Sequence, residues 1–321
     1  IMKALFNWVK KPFCDSLTLY WELLKVMVPI MILVRIAVEF GLIEYVSIVF
    51  TPFMDLVGLP PEAGIVWTTA MLVNIYAGMV ALVALLPEAP MSVAQITVLG
   101  TMILIAHSLP IEQRIVQKSG PSLIATTALR IVGAMTLGAI LNIVYTSFDM
   151  LQENGVISWL PSTQADASWQ QWAVDSVISL FSIFWIIFAL VLLLKILDLL
   201  KVTDLISKAL SPLLGLMGIS SNAIPVTMIG VMLGLGYGGA LILREAKEGK
   251  MSSQDIFLSL SFMCLFHSAL EDTILILALG ADLSGILFAR LLFAFLVLLV
   301  LSKLIKSLPQ PVFERFLFSK S

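Results

Sequence analysis

Apolar stretches follow one another along this chain with so few charges between them that water cannot be its main solvent. They run roughly over Val26 to Tyr45, Val46 to Val57, Ile65 to Leu86, Val93 to Leu109 and Leu123 to Tyr145. After a polar stretch from Thr146 to Gln171 they resume over Val174 to Leu194, Leu205 to Met217, Ala223 to Leu243, Ile256 to Leu270 and Leu283 to Ile305. Of 321 residues, 60% are hydrophobic and 12% charged, against about 25% charged in a soluble domain. Inside hydrocarbon every backbone N–H and C=O must be satisfied within the protein, which favours helices for segments of this length. The chain therefore reads as an all-α polytopic membrane protein. Segments near 20 residues can cross a bilayer, whereas Val46 to Val57 and Leu205 to Met217, about a dozen residues each, read as half-helices or interfacial helices.

What remains outside these stretches is too little for a soluble catalytic or nucleotide-binding domain. Two cysteines, Cys14 and Cys264, cannot build a multi-cysteine zinc or iron-sulfur framework. A formal net charge of -2 offers no basic field for nucleic acid. The basic start, with Lys3, Lys10, Lys11 and Lys25, lacks the short apolar core and small residues of a cleavable signal and reads as a retained anchor.

An internal repeat organises the chain. Sliding it against itself by 160 positions brings Pro52 onto Pro212, Gly58 onto Gly218, Gly78 onto Gly238 and Met91-Ser92 onto Met251-Ser252, without a gap. The same register pairs Glu44 with Asp204, Thr51 with Ser211, Glu112 with Asp272, Gly120 with Gly280 and Arg130 with Arg290. The chain's 2 histidines, His107 and His267, obey the same offset, and each is followed by serine. The expected organisation is an N-terminal segment (1–25), a first repeat (26–145), an outer loop (146–173), a second repeat (174–308) and a tail (309–321).

Charge bias orients the copies. Pro87-Glu88-Ala89-Pro90 has no Lys or Arg, while its counterpart Lys247-Glu248-Gly249-Lys250 follows Arg244 and is basic; Gly41 to Phe50 likewise lacks the basic residues that its counterpart carries as Lys201 and Lys208. Positive loops stay on the cytoplasmic side, so corresponding loops face opposite sides and the repeats are inverted. The expected location is a bacterial inner membrane, with both termini cytoplasmic and the loop bearing Asp149, Glu153 and Asp166 outside.

Inverted repeats are a transporter signature, because they place a site near the midplane and supply two related conformations. Three clusters compete for that site. His107-Ser108 with Glu112, and His267-Ser268 with Glu271 and Asp272, could meet across the repeat axis to carry a proton or ligate a cation; a packing role for each histidine, bonded to a carbonyl or serine, stands beside this. A metal reading adds Cys264, three residues before His267, to His107, His267 and Asp272, with no tight motif to fix a geometry. The glycine-rich run Gly230 to Gly239, with Tyr237, and its counterpart around Asn74 to Gly78 permit either a helix break that cradles a substrate or a close-packed seam. Arg130 and Arg290, each 18 positions after an acid, read as structural ion pairs with Glu112 and Asp272.

The 160-residue duplication, the proline and glycine of Pro52 to Gly58 and Pro212 to Gly218, and the His-Ser runs from His107 to Gly120 and His267 to Gly280 resemble the Gate family, also called the nucleoside-recognition domain family. The resemblance covers about Met31 to Ile305. That family includes the spore maturation proteins A and B, the membrane part of ferrous iron transport protein B and, more remotely, the concentrative nucleoside transporters. It implies two inverted Gate repeats with discontinuous or re-entrant helices around a transport-like core. It carries no substrate over: the cysteine-proline of the iron transporters and the Asn-Glu pair of the nucleoside transporters have no counterpart around Asn74 to Gly78 or Gly234 to Gly239.

The expected function is a secondary permease working by alternating access on a small solute, coupled to a proton or another cation. The alternative is a non-transporting membrane scaffold or signalling partner. The expected partners are a small molecule or ion, the lipid bilayer and, as a homo-oligomer taken to be a dimer, a second copy of the chain; nucleic acid is not among them. No organic cofactor is required, and no nucleophile-base pair or zinc-protease motif points to an enzyme.

Overall fold

The computed structural model describes residues 2–157 and 168–318; Asp166 lies outside the described residues. The first repeat contributes α1 (Met2–Glu39), α2 (Leu42–Leu56), α3 (Ala63–Leu72), α4 (Ile75–Leu85), α5 (Val93–Ile105), α6 (Leu109–Lys118) and α7 (Leu123–Ser147). The second contributes α8 (Trp169–Leu199), α9 (Val202–Leu216), α10 (Ile224–Leu233), α11 (Leu235–Lys247), α12 (Ser253–Leu265) and α13 (Glu271–Ala278). A π-helical turn (Ser284–Ala289) leads into α14 (Arg290–Ser307), and α15 (Gln310–Phe316) follows. α2 and α9, and α5 and α12, recur at the 160-residue offset to the residue. α1 runs unbroken through the boundary expected after residue 25.

Among the described residues, four segments can cross a membrane by length and apolarity: α5 with α6 (Val93–Lys118), α7, α8, and Ser284–Ser307. A fifth, α1, turns through 98° into α2. Gly41 makes that turn in the left-handed conformation (φ 64), and Lys201 holds the corresponding position before α9 at φ 54. Both short helices end at a left-handed glycine, Gly58 and Gly218, packed against Asn142 and Ser302 respectively. Asn142 and Ser302 are themselves 160 positions apart.

The apolar stretches Ile65 to Leu86 and Ala223 to Leu243, where a helix break is one of two expected roles, break and fold back. α3 and α10 have 10 residues each, about 15 Å of helix, or roughly half a hydrocarbon core. Each packs antiparallel against its successor, α4 or α11. Small residues make this approach possible. A Cβ on Gly78 would lie 2.6 Å from the Ala70 Cβ, and one on Gly238 would strike the Gly230 backbone; Ala70 and Gly230 are again repeat mates. Both roles weighed for the glycine-rich run, break and close-packed seam, are filled by one hairpin.

The repeats run in opposite directions. At one end of the bundle Ser92 bridges Asn154, and the N–H groups of Val93 and Ala94 donate to the carbonyls of Glu153 and Leu151. At the other end Lys118, Ser119 and Gly120 face Lys247, Met251 and Ser252 across a shallow cleft. The basic-free link at Pro87 to Pro90 and the basic link at Lys247 to Lys250 therefore sit at opposite ends. α5 and α12, buried almost all round, form the centre. Their starts are fixed by Ser92 and Ser252, whose side chains accept from the N–H of Gln95 and Asp255.

The seam makes a prediction. Gly238→Ala places a methyl against the backbone of Gly230 and is expected to cost about 1 to 3 kcal/mol through overpacking. Gly236→Ala, where a Cβ meets nothing within 4 Å, is expected to leave stability unchanged. Thermal unfolding in detergent compares the two; equal midpoints would mean that the hairpin does not depend on the seam.

Candidate functional site

α5 and α12 stop inside the bundle, so their last carbonyls have no helical donor. Two arginines from the following long helices supply it. Arg130 Nε donates to the Ile105 carbonyl at 2.7 Å and Nη2 to the His107 carbonyl at 2.8 Å. Arg290 repeats this on Leu265 at 3.0 Å and His267 at 2.8 Å. Both arginine side chains are fully buried. The chain then turns through Ser108 (φ 49) and Ser268 (φ 46), both left-handed without being glycine, before α6 and the turn leading into α13. Such conformations cost roughly 1 to 2 kcal/mol each and persist only where the surroundings impose them.

The broken ends bring the two histidines together. His107 Nε2 and His267 Nε2 are 3.3 Å apart. His107 Nδ1 lies 2.9 Å from the Ile103 carbonyl, and His267 Nδ1 2.6 Å from the Met263 carbonyl. A carbonyl only accepts, so each Nδ1 carries the hydrogen, and each Nε2 of a neutral ring presents a lone pair to the other. The packing role and the functional juxtaposition are thus satisfied by opposite edges of the same rings.

Carboxylates gather round this pair. Glu112 Oε1 is 3.8 Å from His107 Nε2 and 3.7 Å from His267 Nε2, while its Oε2 accepts from Arg130 Nη1 at 2.6 Å. Asp272 Oδ2 is 3.6 Å from His107 Nε2. The expected Glu112–Arg130 pair is therefore present and the expected Asp272–Arg290 pair is not. Arg290 Nη1, the atom equivalent to the one holding Glu112, has no hydrogen-bond partner. Asp272 is one methylene shorter than Glu112 and lies against the histidine of the other repeat instead. On its open face Arg290 stacks over Phe266 at 5.0 Å.

The remaining predicted residues divide. Glu271 sits against the Tyr76 phenol, and the backbone oxygens of Ser108 and Ser268 accept from the N–H of Glu112 and Asp272. Asn74 caps α4, its side chain accepting from the Ala77 N–H at 2.8 Å, so it shapes the hairpin tip. Tyr237 does not join the site: it is 71% exposed, on the face of α11 turned away from the hairpin seam. Cys264 is buried with its thiol against Gln113 Nε2. Among the described residues, the grouping of donor atoms close enough to share a metal ion takes in His107, Glu112 and His267 and leaves out both Cys264 and Asp272.

Sequence reasoning missed the carbonyl-capping role of the arginines and the bonding of Gln113 to Thr126 at 2.8 Å, which ties α6 to α7. A signal for the first was present: each arginine follows a helix that must end before Ser108 or Ser268, where unpaired carbonyls are certain.

No family model matches the chain, and no solved structure matches it. It is similar to the uncharacterized membrane protein YvoD of Bacillus subtilis (strain 168), 25% identical over 287 residues, which is 88% of this chain and 90% of the relative.

The two arginines are expected to differ in weight. Arg130→Met strands two carbonyls and the Glu112 carboxylate, and breaking a buried pair from one side typically costs about 3 to 5 kcal/mol. Arg290→Met strands carbonyls only and is expected to cost less. Adding Glu112→Gln to Arg130→Met should recover part of the loss, and a thermal-unfolding double-mutant cycle measures the coupling. Equal losses for both arginines, with no recovery, would refute the asymmetry.

Proposed function

We propose that this membrane protein is a secondary transporter of the bacterial inner membrane, with both termini cytoplasmic, built on two inverted Gate-like repeats whose shared polar centre binds the transported or coupling cation. The observation that carries this reading is the contact of His107 with His267 at 3.3 Å, each at the broken end of a central helix. A site assembled equally from two opposed repeats can be exposed to either side by exchanging their conformations. The architecture supports it further, since re-entrant hairpins and mid-bundle helix breaks put irregular backbone at depth, which is tolerated where it lines a protein-enclosed site.

The unequal ion pairs fit the same cycle. Glu112 is locked on Arg130, while Asp272 is released from Arg290 and reaches His107. In the opposite conformation the roles exchange: Asp272 closes on Arg290, and Glu112 opens. A scaffold would be better served by two closed pairs, and the unpartnered Arg290 Nη1 weighs against it.

The test needs no knowledge of the solute. In a background of Cys14→Ser and Cys264→Ala, single variants Ser108→Cys and Ser268→Cys are labelled with a membrane-impermeant thiol reagent in right-side-out and inverted vesicles. A transporter is expected to label from both faces, with the balance shifting when an ion gradient is imposed. Labelling from one face under every condition, or from neither, would count against alternating access.

A further inference from the structure

We infer that the polar centre is a binding site for a first-row divalent transition-metal ion, ligated by His107 Nε2, His267 Nε2 and Glu112 Oε1, with Asp272 Oδ2 near His107 outside this set of three. This rests on the transporter reading and names the class of ion the centre takes.

The first argument is distance. The three donor atoms are separated by 3.3, 3.8 and 3.7 Å. The point in their plane equidistant from all three lies about 2.1 Å from each, the length of a bond from zinc to an imidazole nitrogen or a carboxylate oxygen. Donors around a tetrahedral ion at that bond length stand roughly 3.3 to 3.4 Å apart, so two sides of the triangle need close by only a few tenths of an ångström.

The second argument is the state of the rings. Bonds from Nδ1 to the Ile103 and Met263 carbonyls fix both tautomers, as outer partners do for histidines that bind metals. Two Nε2 lone pairs are then aimed at each other and repel unless something positive lies between them. A single shared proton would draw the nitrogens closer, since charge-assisted N–H bonds run at about 2.7 to 2.9 Å. The 3.3 Å separation suits two donors on one ion better than two ends of one hydrogen bond.

The third argument is the carboxylate. Arg130 holds Glu112 Oε2 at 2.6 Å, which fixes the plane of the group and leaves Oε1 as a one-toothed ligand. Hard ions such as Ca²⁺ and Mg²⁺ call for six or more oxygens, whereas two imidazoles with one carboxylate suit Zn²⁺, Fe²⁺ and Co²⁺ and leave positions open. The ligands come from both repeats, so an ion here joins the two halves at the point about which they would move.

Untagged protein in detergent, dialysed against Co²⁺ alone, is expected to bind one ion per chain, with the visible absorption of a four- or five-coordinate site, bleached by adding Zn²⁺. His107→Asn and His267→Asn each keep an amide where Nδ1 donates and delete Nε2, and are expected to lose the signal or weaken binding by at least about tenfold, with Glu112→Gln weakening it similarly. Cys264→Ala should retain it. Failure of the wild-type protein to bind Co²⁺ or Zn²⁺, or retention of full binding in both histidine variants, would overturn the metal site. The two readings separate cleanly: labelling from both faces without metal binding leaves a transporter of another cation, and metal binding with labelling from one face leaves a metal site in a protein that does not alternate.

Discussion

The capping of two unfinished helices by arginine underlies everything at the centre of this molecule. α5 and α12 end far from either surface, where a carbonyl without a donor costs several kcal/mol because no water can replace the lost bond. A guanidinium answers this better than any other side chain, since its fork reaches two carbonyls at once. Arg130 and Arg290 use Nε and Nη2 in this way, on carbonyls two residues apart. The charge that makes each arginine expensive at depth is offset by the negative ends of the helices it caps and, in the first repeat, by Glu112. With the breaks stabilised, the chain can turn through a left-handed serine at mid-bundle.

The histidines follow from that break. Each ring donates from Nδ1 to the carbonyl four residues earlier, in the last turn of its helix. This turns Nε2 away from its own helix and toward the repeat axis, where the other repeat does the same. Two side chains related by a two-fold axis and pointing at it must meet, so the contact is a consequence of symmetry and tautomer together. Neither histidine alone makes a site; the pair does.

Much of this could be read before the fold was known. The 160-residue offset paired His107 with His267, Ser92 with Ser252 and Gly78 with Gly238, and each pair occupies equivalent places in the fold. Local rules of capping and glycine conformation act through neighbours in sequence, and the offset preserves those neighbours. A break in Ile65 to Leu86 was legible in Gly78 and the glycine-rich run of its counterpart, but hydropathy alone could not give the fold-back, because it reports apolar content and is blind to direction. A hairpin of two half-spans and one full span have the same composition. Tyr237 was misplaced for a related reason: its neighbours mark a seam, but which face of α11 lines that seam depends on α10. The Asp272–Arg290 pair was expected from its counterpart, and one missing methylene was enough to redirect it.

That methylene shows why duplicated repeats need not remain equal. Strict equivalence at the axis would give both acids the same partner and leave the centre with two identical resting arrangements. Here Glu112 reaches its own arginine and still presents an oxygen to both rings, while Asp272, one methylene shorter, stands off Arg290 in this conformation and turns to His107. The second repeat also opens a π-helical turn at Ser284–Ala289, directly before Arg290, where the first repeat is regular helix. A π turn carries one residue more per hydrogen-bonded ring and packs less tightly than the α-helix around it, and such turns are frequent at functional positions. The second repeat therefore concentrates the looser elements: a shorter acid, an arginine with one free donor and a widened helix behind it. The first concentrates the closed ones. The two halves thus share a fold but differ at their common centre, where one arginine is closed on its acid and the other keeps a donor without a partner.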